Sequence, residues 1–193
     1  TSELACAPYG ELALWIPDTR GNTGDEVLVS LNIRNARELQ IAAGNVWLEY
    51  DSDVLEVVGV ETAPMTHGRY DFEANTDTPG VVRIATLARN TTNPPHLYGK
   101  GTLFRVRFTV VGAAGDTSAV HLRPAAQGQR GTDIYAPDDA ETAIPVILSD
   151  GIFRVSDAHQ LGDVSGNGTV GAEDALATLR LATGQGTTVQ LQA

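Results

Sequence analysis

The segment Phe104-Arg105-Val106-Arg107-Phe108-Thr109-Val110 alternates strictly between apolar and polar side chains. Such a period of two puts every apolar residue on one face of a strand, and that face needs a partner to bury it. Val27, Val29, Leu31 and Ile33 share a face in the same way, separated by Leu28, Ser30 and Asn32. Val46, Leu48 and Tyr50 do so around Trp47 and Glu49. Shorter apolar runs at 12–16, 55–60, 81–87, 119–122, 144–148 and 151–155 bring the expected total to about nine strands. Turn-forming clusters at 18–24, 75–80, 90–101 and 112–116 separate them. No helical segment intervenes between strands, which disfavours a parallel α/β sheet. The expected fold is all-β: a roughly nine-stranded antiparallel jelly-roll β-sandwich, covering residues 8–156.

The period changes near the C-terminus. Residues 157–162 read as a short polar linker, and 163–193 as a small separate element. Ala172, Ala175, Leu176 and Leu179 are spaced by three and four, which predicts a helix over 172–182 that Gly184 and Gly186 end. The stretch leading into it is Asp163-Val164-Ser165-Gly166-Asn167-Gly168-Thr169-Val170-Gly171-Ala172-Glu173-Asp174. An EF-hand loop needs oxygen ligands at positions 1, 3, 5, 7 and 12, with glycine at 6 for the sharp turn. Asp163, Ser165 and Asn167 fill the first three, Thr169 supplies a backbone carbonyl at 7, and Asp174 closes the loop at 12. The expected cofactor is therefore Ca2+. With only two carboxylates in the set, the dissociation constant belongs near 10⁻⁴–10⁻³ M, roughly that of extracellular modules. The bland reading is a glycine-rich turn in which Asp163 or Asp174 merely caps the helix. Gly166-x-Gly168-x-x-Gly171 also fits the dinucleotide fingerprint, but neither the βαβ unit nor the later acidic residue follows.

Charge and composition narrow the partners. The net charge of −11 repels phosphate backbones and so excludes nucleic acid. No run of apolar residues is long enough for a membrane span. One cysteine, Cys6, rules out an internal disulfide. His67, His96, His121 and His159 show neither metal-ligand nor triad spacing, and no acid pair has a reason to sit at glycosidase separation. An enzyme is thus disfavoured. Trp15, Trp47 and Tyr70 could form a sugar-stacking platform. The plainer reading has Trp47 and Tyr50 on opposite faces of one strand.

Two resemblances bear on function. Gly162 to Val170, followed by Glu173-Asp174-Ala175-Leu176, resembles one repeat of a dockerin, a family that normally carries two. The segment Gly44 to Val60 (with its Tyr50-Asp51-Ser52-Asp53-Val54-Leu55-Glu56-Val57) resembles a cohesin. So do Gly24-Asp25-Glu26-Val27, Pro79-Gly80-Val81-Val82-Arg83-Ile84-Ala85, and Gly101-Thr102-Leu103. The resemblance implies a dockerin-binding sheet face that includes Asn45, Trp47, Arg83 and Ala85, and a helix whose Leu179 and Arg180 grip a cohesin. Ala43 and Ala88 stand where that family would have a polar and an acidic contact.

The chain is accordingly expected to be an extracellular or cell-surface scaffold module. Its partner would be a dockerin- or cohesin-bearing protein, or another copy of itself, in polysaccharide-degrading or surface assemblies. The alternative is a carbohydrate-binding module of a secreted protein, with a polysaccharide ligand.

Overall fold

A computed structural model describes residues 11–90, 92–126, 129–137, 142–156 and 171–183. Among these lie strands β1 (Ala13–Trp15), β2 (Thr19–Asn22), β3 (Glu26–Gln40), β4 (Ala43–Glu49), β5 (Leu55–Thr62) and β6 (Tyr70–Asn75). They are followed by β7 (Val81–Ala88), β8 (His96–Val110), β9 (Thr117–Leu122), β10 (Asp133–Tyr135), β11 (Ile147–Ser149), β12 (Gly151–Ser156) and one helix, α1 (Ala172–Ala182). The chain divides into two compact units with the boundary after Val155. The expected linker, 157–162, lies outside the described residues.

The two strongest alternating runs meet each other. Val27, Val29 and Leu31 of β3 stand opposite Phe108, Val106 and Phe104 of β8, so their apolar faces coincide. These strands form the middle of a five-stranded sheet ordered β11-β1-β3-β8-β5. A seven-stranded sheet, β2-β12-β9-β4-β7-β6 with β10 also on β4, covers it. Val46, Leu48, Val82, Ile84, Val120, Leu122, Phe153 and Val155 line its inner side and are all buried. Aromatic rings join the core: Tyr50 meets Phe108 edge-on at 4.9 Å, and Phe72 lies 5.7 Å from Phe104. Tyr70, also buried, donates its hydroxyl to the Ile41 carbonyl at 3.1 Å. Burial pushes its pKa up to about 12, because the phenolate form would lose hydration.

Several expectations need correction. Twelve strands are described, not nine, because β2, β6 and β10 were unforeseen. β2 reads Thr-Arg-Gly-Asn, a turn composition without apolar alternation. Gly21 is there for clearance: a Cβ on it would come within 2.6 Å of the Val27 side chain. The expected turn at 90–101 is partly strand, since β8 starts at His96 and runs for 15 residues beside an equally long β3. Register shifts between Leu31 and Leu39 let that ribbon bend. Pairing is not wholly antiparallel either: β1 and β11 run parallel, with Leu14 opposite Leu148.

Candidate partner-binding face

β4 is central in its sheet, so its odd-numbered side chains point away from the core into positions flanked on both sides. Asp133, Asn45, Ala85 and Glu73 form one cross-strand row, contributed by β10, β4, β7 and β6. Trp47, Arg83 and Asn75 form the adjacent row. The even-numbered neighbours Val46, Leu48, Val82 and Ile84 are buried. Period two therefore delivers Asn45, Trp47, Arg83 and Ala85, all four of the expected sheet contacts, to one face. They surround a pocket of about 420 Å³, which Glu73, Arg130 and Asp133 also line.

Polar groups here are held in place. The Asn45 amide donates to Asp133 Oδ1 at 2.7 Å, and the Tyr135 hydroxyl donates to Asp133 Oδ2 at 3.0 Å. That second bond is the main reason the Tyr135 phenol is raised above its ordinary pKa. The Arg83 guanidinium lies 4.3 Å from the Trp47 ring centre, and that of Arg123 lies 5.0 Å from it. Arg83 comes from β7 on one side of β4, and Arg123 follows β9 on the other. Arg123 also reaches Glu49 at 3.4 Å. Among the described side chains, the Trp47 indole nitrogen is the buried polar atom without a hydrogen-bond partner. Beside it, Thr132 ties the strap that follows β9 (described over 123–126 and 129–132) to β4, its hydroxyl accepting from the Trp47 amide at 3.1 Å. Gly131 is buried there, and a Cβ on it would lie 2.4 Å from the backbone of Pro124 and Ala125.

Other expected residues fall elsewhere. Ala88 is buried, so it is not a surface contact position. Trp15, Trp47 and Tyr70 form no platform: Trp15 belongs to the five-stranded sheet and Tyr70 is in the core. Tyr50 and Trp47 do lie on opposite faces of the β4 segment, as the plainer reading had it. Leu179 and Arg180 are exposed on α1 in the second unit. Asp163, Ser165, Asn167 and Thr169 lie outside the described residues. Asp174 is described and is buried in the first turn of α1. Its Oδ2 accepts from the Gly171 amide at 2.6 Å, which caps the helix N-terminus by reaching back from its third residue. Among the described residues no cluster of His, Cys, Asp and Glu could hold a metal.

Sequence reasoning missed Glu73, Asn75, Arg130 and Asp133. The first two had a signal, because Tyr70, Phe72 and Ala74 alternate with Asp71, Glu73 and Asn75. Arg130 had none, since it reaches the face through a strap pinned by the bridges Pro124–Thr132 and Ala126–Gln129.

A family model described as "Cohesin domain" matches residues 12–136. Among solved structures, the chain is similar to a non-cellulosomal cohesin from the hyperthermophilic archaeon Archaeoglobus fulgidus. Identity is 21%, the TM-score is 0.61, and the match covers 78% of this chain and 94% of that one. Similarity to CaCohA2 from Clostridium acetobutylicum gives 22% identity and a TM-score of 0.64, over 78% of this chain and 94% of that one. The sixth cohesin of scaffoldin B from Acetivibrio cellulolyticus, solved in complex with a mutant Cel5 dockerin, gives 14% identity and a TM-score of 0.64. That match covers 76% of this chain and the whole (100%) of the other. No curated protein matches the chain. At these identities the structural likeness speaks to the fold.

Proposed function

The chain belongs to the cohesin family, and we propose that its outer seven-stranded face docks a dockerin-bearing protein, making it a non-catalytic joint of a secreted or cell-surface assembly. One observation carries this reading. Asn45, Trp47, Arg83 and Ala85 occupy consecutive register positions on an exposed face and border a single pocket. The dockerin bound to the Acetivibrio cohesin supports the partner class. Titration of the chain with a panel of recombinant dockerins tests it. Binding of at least one, lost on Ala85→Arg, is the expected result; no binding across the panel, or binding indifferent to Ala85→Arg, would remove the reading.

A polysaccharide ligand has less support. Sugar stacking needs an open aromatic face, whereas the Trp47 ring has a guanidinium from each flanking segment beside it. Affinity electrophoresis on cellulose and xylan derivatives is expected to show no retardation.

For the second unit we propose a calcium loop formed by Asp163, Ser165, Asn167, the Thr169 carbonyl and Asp174. A buried carboxylate in the first turn of a helix is what position 12 of such a loop requires, and Asp174 has that placement. The metal would neutralise the carboxylates and hold the loop against the helix. Leu176 and Leu179, one turn apart and exposed, favour a docking role for α1, with a cohesin of another chain or another copy as the receiver.

A further inference from the structure

Arg83 and Arg130 line the same pocket, and neither has a carboxylate within ion-pair distance among the described residues. The guanidiniums of Arg89, Arg107 and Arg123 do have such partners. Other exposed arginines, such as Arg154, also lack such a partner among the described residues; what distinguishes this pair is that both edge one concavity beside a rigid aromatic ring. The Trp47 ring, 4.3 Å from the Arg83 guanidinium, restricts where that charge can sit. Restricting it beforehand reduces the entropy lost when a ligand binds.

The acidic groups of the pocket, Asp133 and Glu73, bring negative charge to it but make no ion pair with Arg83 or Arg130 among the described residues. Both carboxylate oxygens of Asp133 already accept hydrogen bonds, from Asn45 and Tyr135. Glu73 lies one row away on β6, opposite Ala85 rather than Arg83. Diagonal neighbours of that kind are about 7–8 Å apart, and Glu73 makes no ion pair with Arg83. Ala85 stands between Glu73 and Asn45 in its row, and its small side chain leaves a notch through which a partner's backbone can approach.

We infer that this pocket selects its partner by an acidic side chain: a helix of the docked protein places an Asp or Glu carboxylate between Arg83 and Arg130, beside Trp47. The inference rests on the docking reading and specifies its chemistry. A guanidinium offers a carboxylate two parallel donors, which fixes orientation as well as charge. A basic residue one helical turn along, about 5–6 Å away, would meet Glu73. The chain's net charge of −11 repels an acidic partner at long range. That repulsion is screened beyond about 8 Å at physiological salt, so the selection acts at contact.

The test uses the whole 193-residue chain, isotopically labelled, and two synthetic helical peptides in a neutral Ala/Gln frame that differ by one Glu→Gln change. The Glu peptide is expected to shift the Trp47 indole and Arg83 side-chain resonances. The Gln twin, and the Glu peptide on Arg83→Gln, should bind at least about ten-fold more weakly. Arg154→Gln, a change on β12, should leave the shifts intact. Equal shifts from both peptides, or none from either, overturns the inference. So does displacement of the same resonances by polygalacturonate but not by the peptide. A parallel dockerin titration separates the two readings. Dockerin binding that ignores Arg83→Gln overturns the acidic pocket and keeps the docking face. Acidic-peptide binding without any dockerin binding does the reverse.

Discussion

At the scale of single residues, position determines what each side chain of the outer face contributes. Trp47 is a half-buried aromatic in a central strand and serves as a wall for two guanidiniums. Such contacts are worth about 0.5–1 kcal/mol each at exposed sites. Trp47→Ala is therefore expected to cost roughly 1–2 kcal/mol in urea unfolding while abolishing partner binding. Unchanged affinity in that variant would show that the ring is not part of the interface. Tyr70 tests the core in a different way. Its folded pKa of about 12 lies above the ordinary 10, so the unfolded chain releases the proton first as pH rises. The corresponding stability is complete below pH 10 and is lost as pH climbs toward about 12, a window worth roughly 2–3 kcal/mol. Unfolding free energies measured across that window should fall in the native chain and stay flatter in Tyr70→Phe. Gly131 has a steric role. Gly131→Ala should displace the strap carrying Arg130 and weaken partner binding, with the fold retained by circular dichroism.

Among the elements, the long ribbon of β3 and β8 supplies more of the buried core than any other pair of neighbouring strands. Phe108 is fully buried and faces both Val27 and Val57 across its two strand neighbours. Phe108→Ala should cost about 3–5 kcal/mol. Val58, in the bulge of β5 and more than half exposed at 53%, should cost under about 0.5 kcal/mol when changed to Ala. Comparable losses at the two sites would contradict the assigned strand register. This contrast was legible in the alternation of 104–110, and so was the outward placement of Asn45 and Trp47. The strands that escaped notice are those whose formation depends on neighbours. β2 has turn residues and exists because β12 offers it an edge, while β10 is three residues pairing with the first half of β4. α1 was legible from its spacing of three and four. Its capping by Asp174 combines two readings, since the same carboxylate that accepts the Gly171 amide is the proposed twelfth ligand of the loop.

The whole molecule consists of two units with separate stabilising principles. Core burial holds the sandwich, whereas the second unit contributes an eleven-residue helix, too short to be stable by propensity alone. If the proposed calcium loop forms, chelation should leave the unfolding midpoint of the sandwich unchanged while reducing helical ellipticity, an effect that Asp163→Ala would reproduce in millimolar calcium. If α1 docks on another copy, sedimentation should show mass falling on chelation; identical monomer mass in both conditions would exclude self-assembly. The amino-acid sequence alone pointed to a β-sandwich, because alternating apolar strands with no helical segment between them have only another sheet to bury their shared face. It also determined which side chains face outward on β4 and β7, because period two is local geometry. Only the tertiary structure decided that Arg83 and Arg123 flank the Trp47 ring and that Glu73, Arg130 and Asp133 line the pocket beside it. Those residues lie as much as 86 positions apart in sequence, between Trp47 and Asp133, and strand order across the sheet, not spacing along the chain, brings them together.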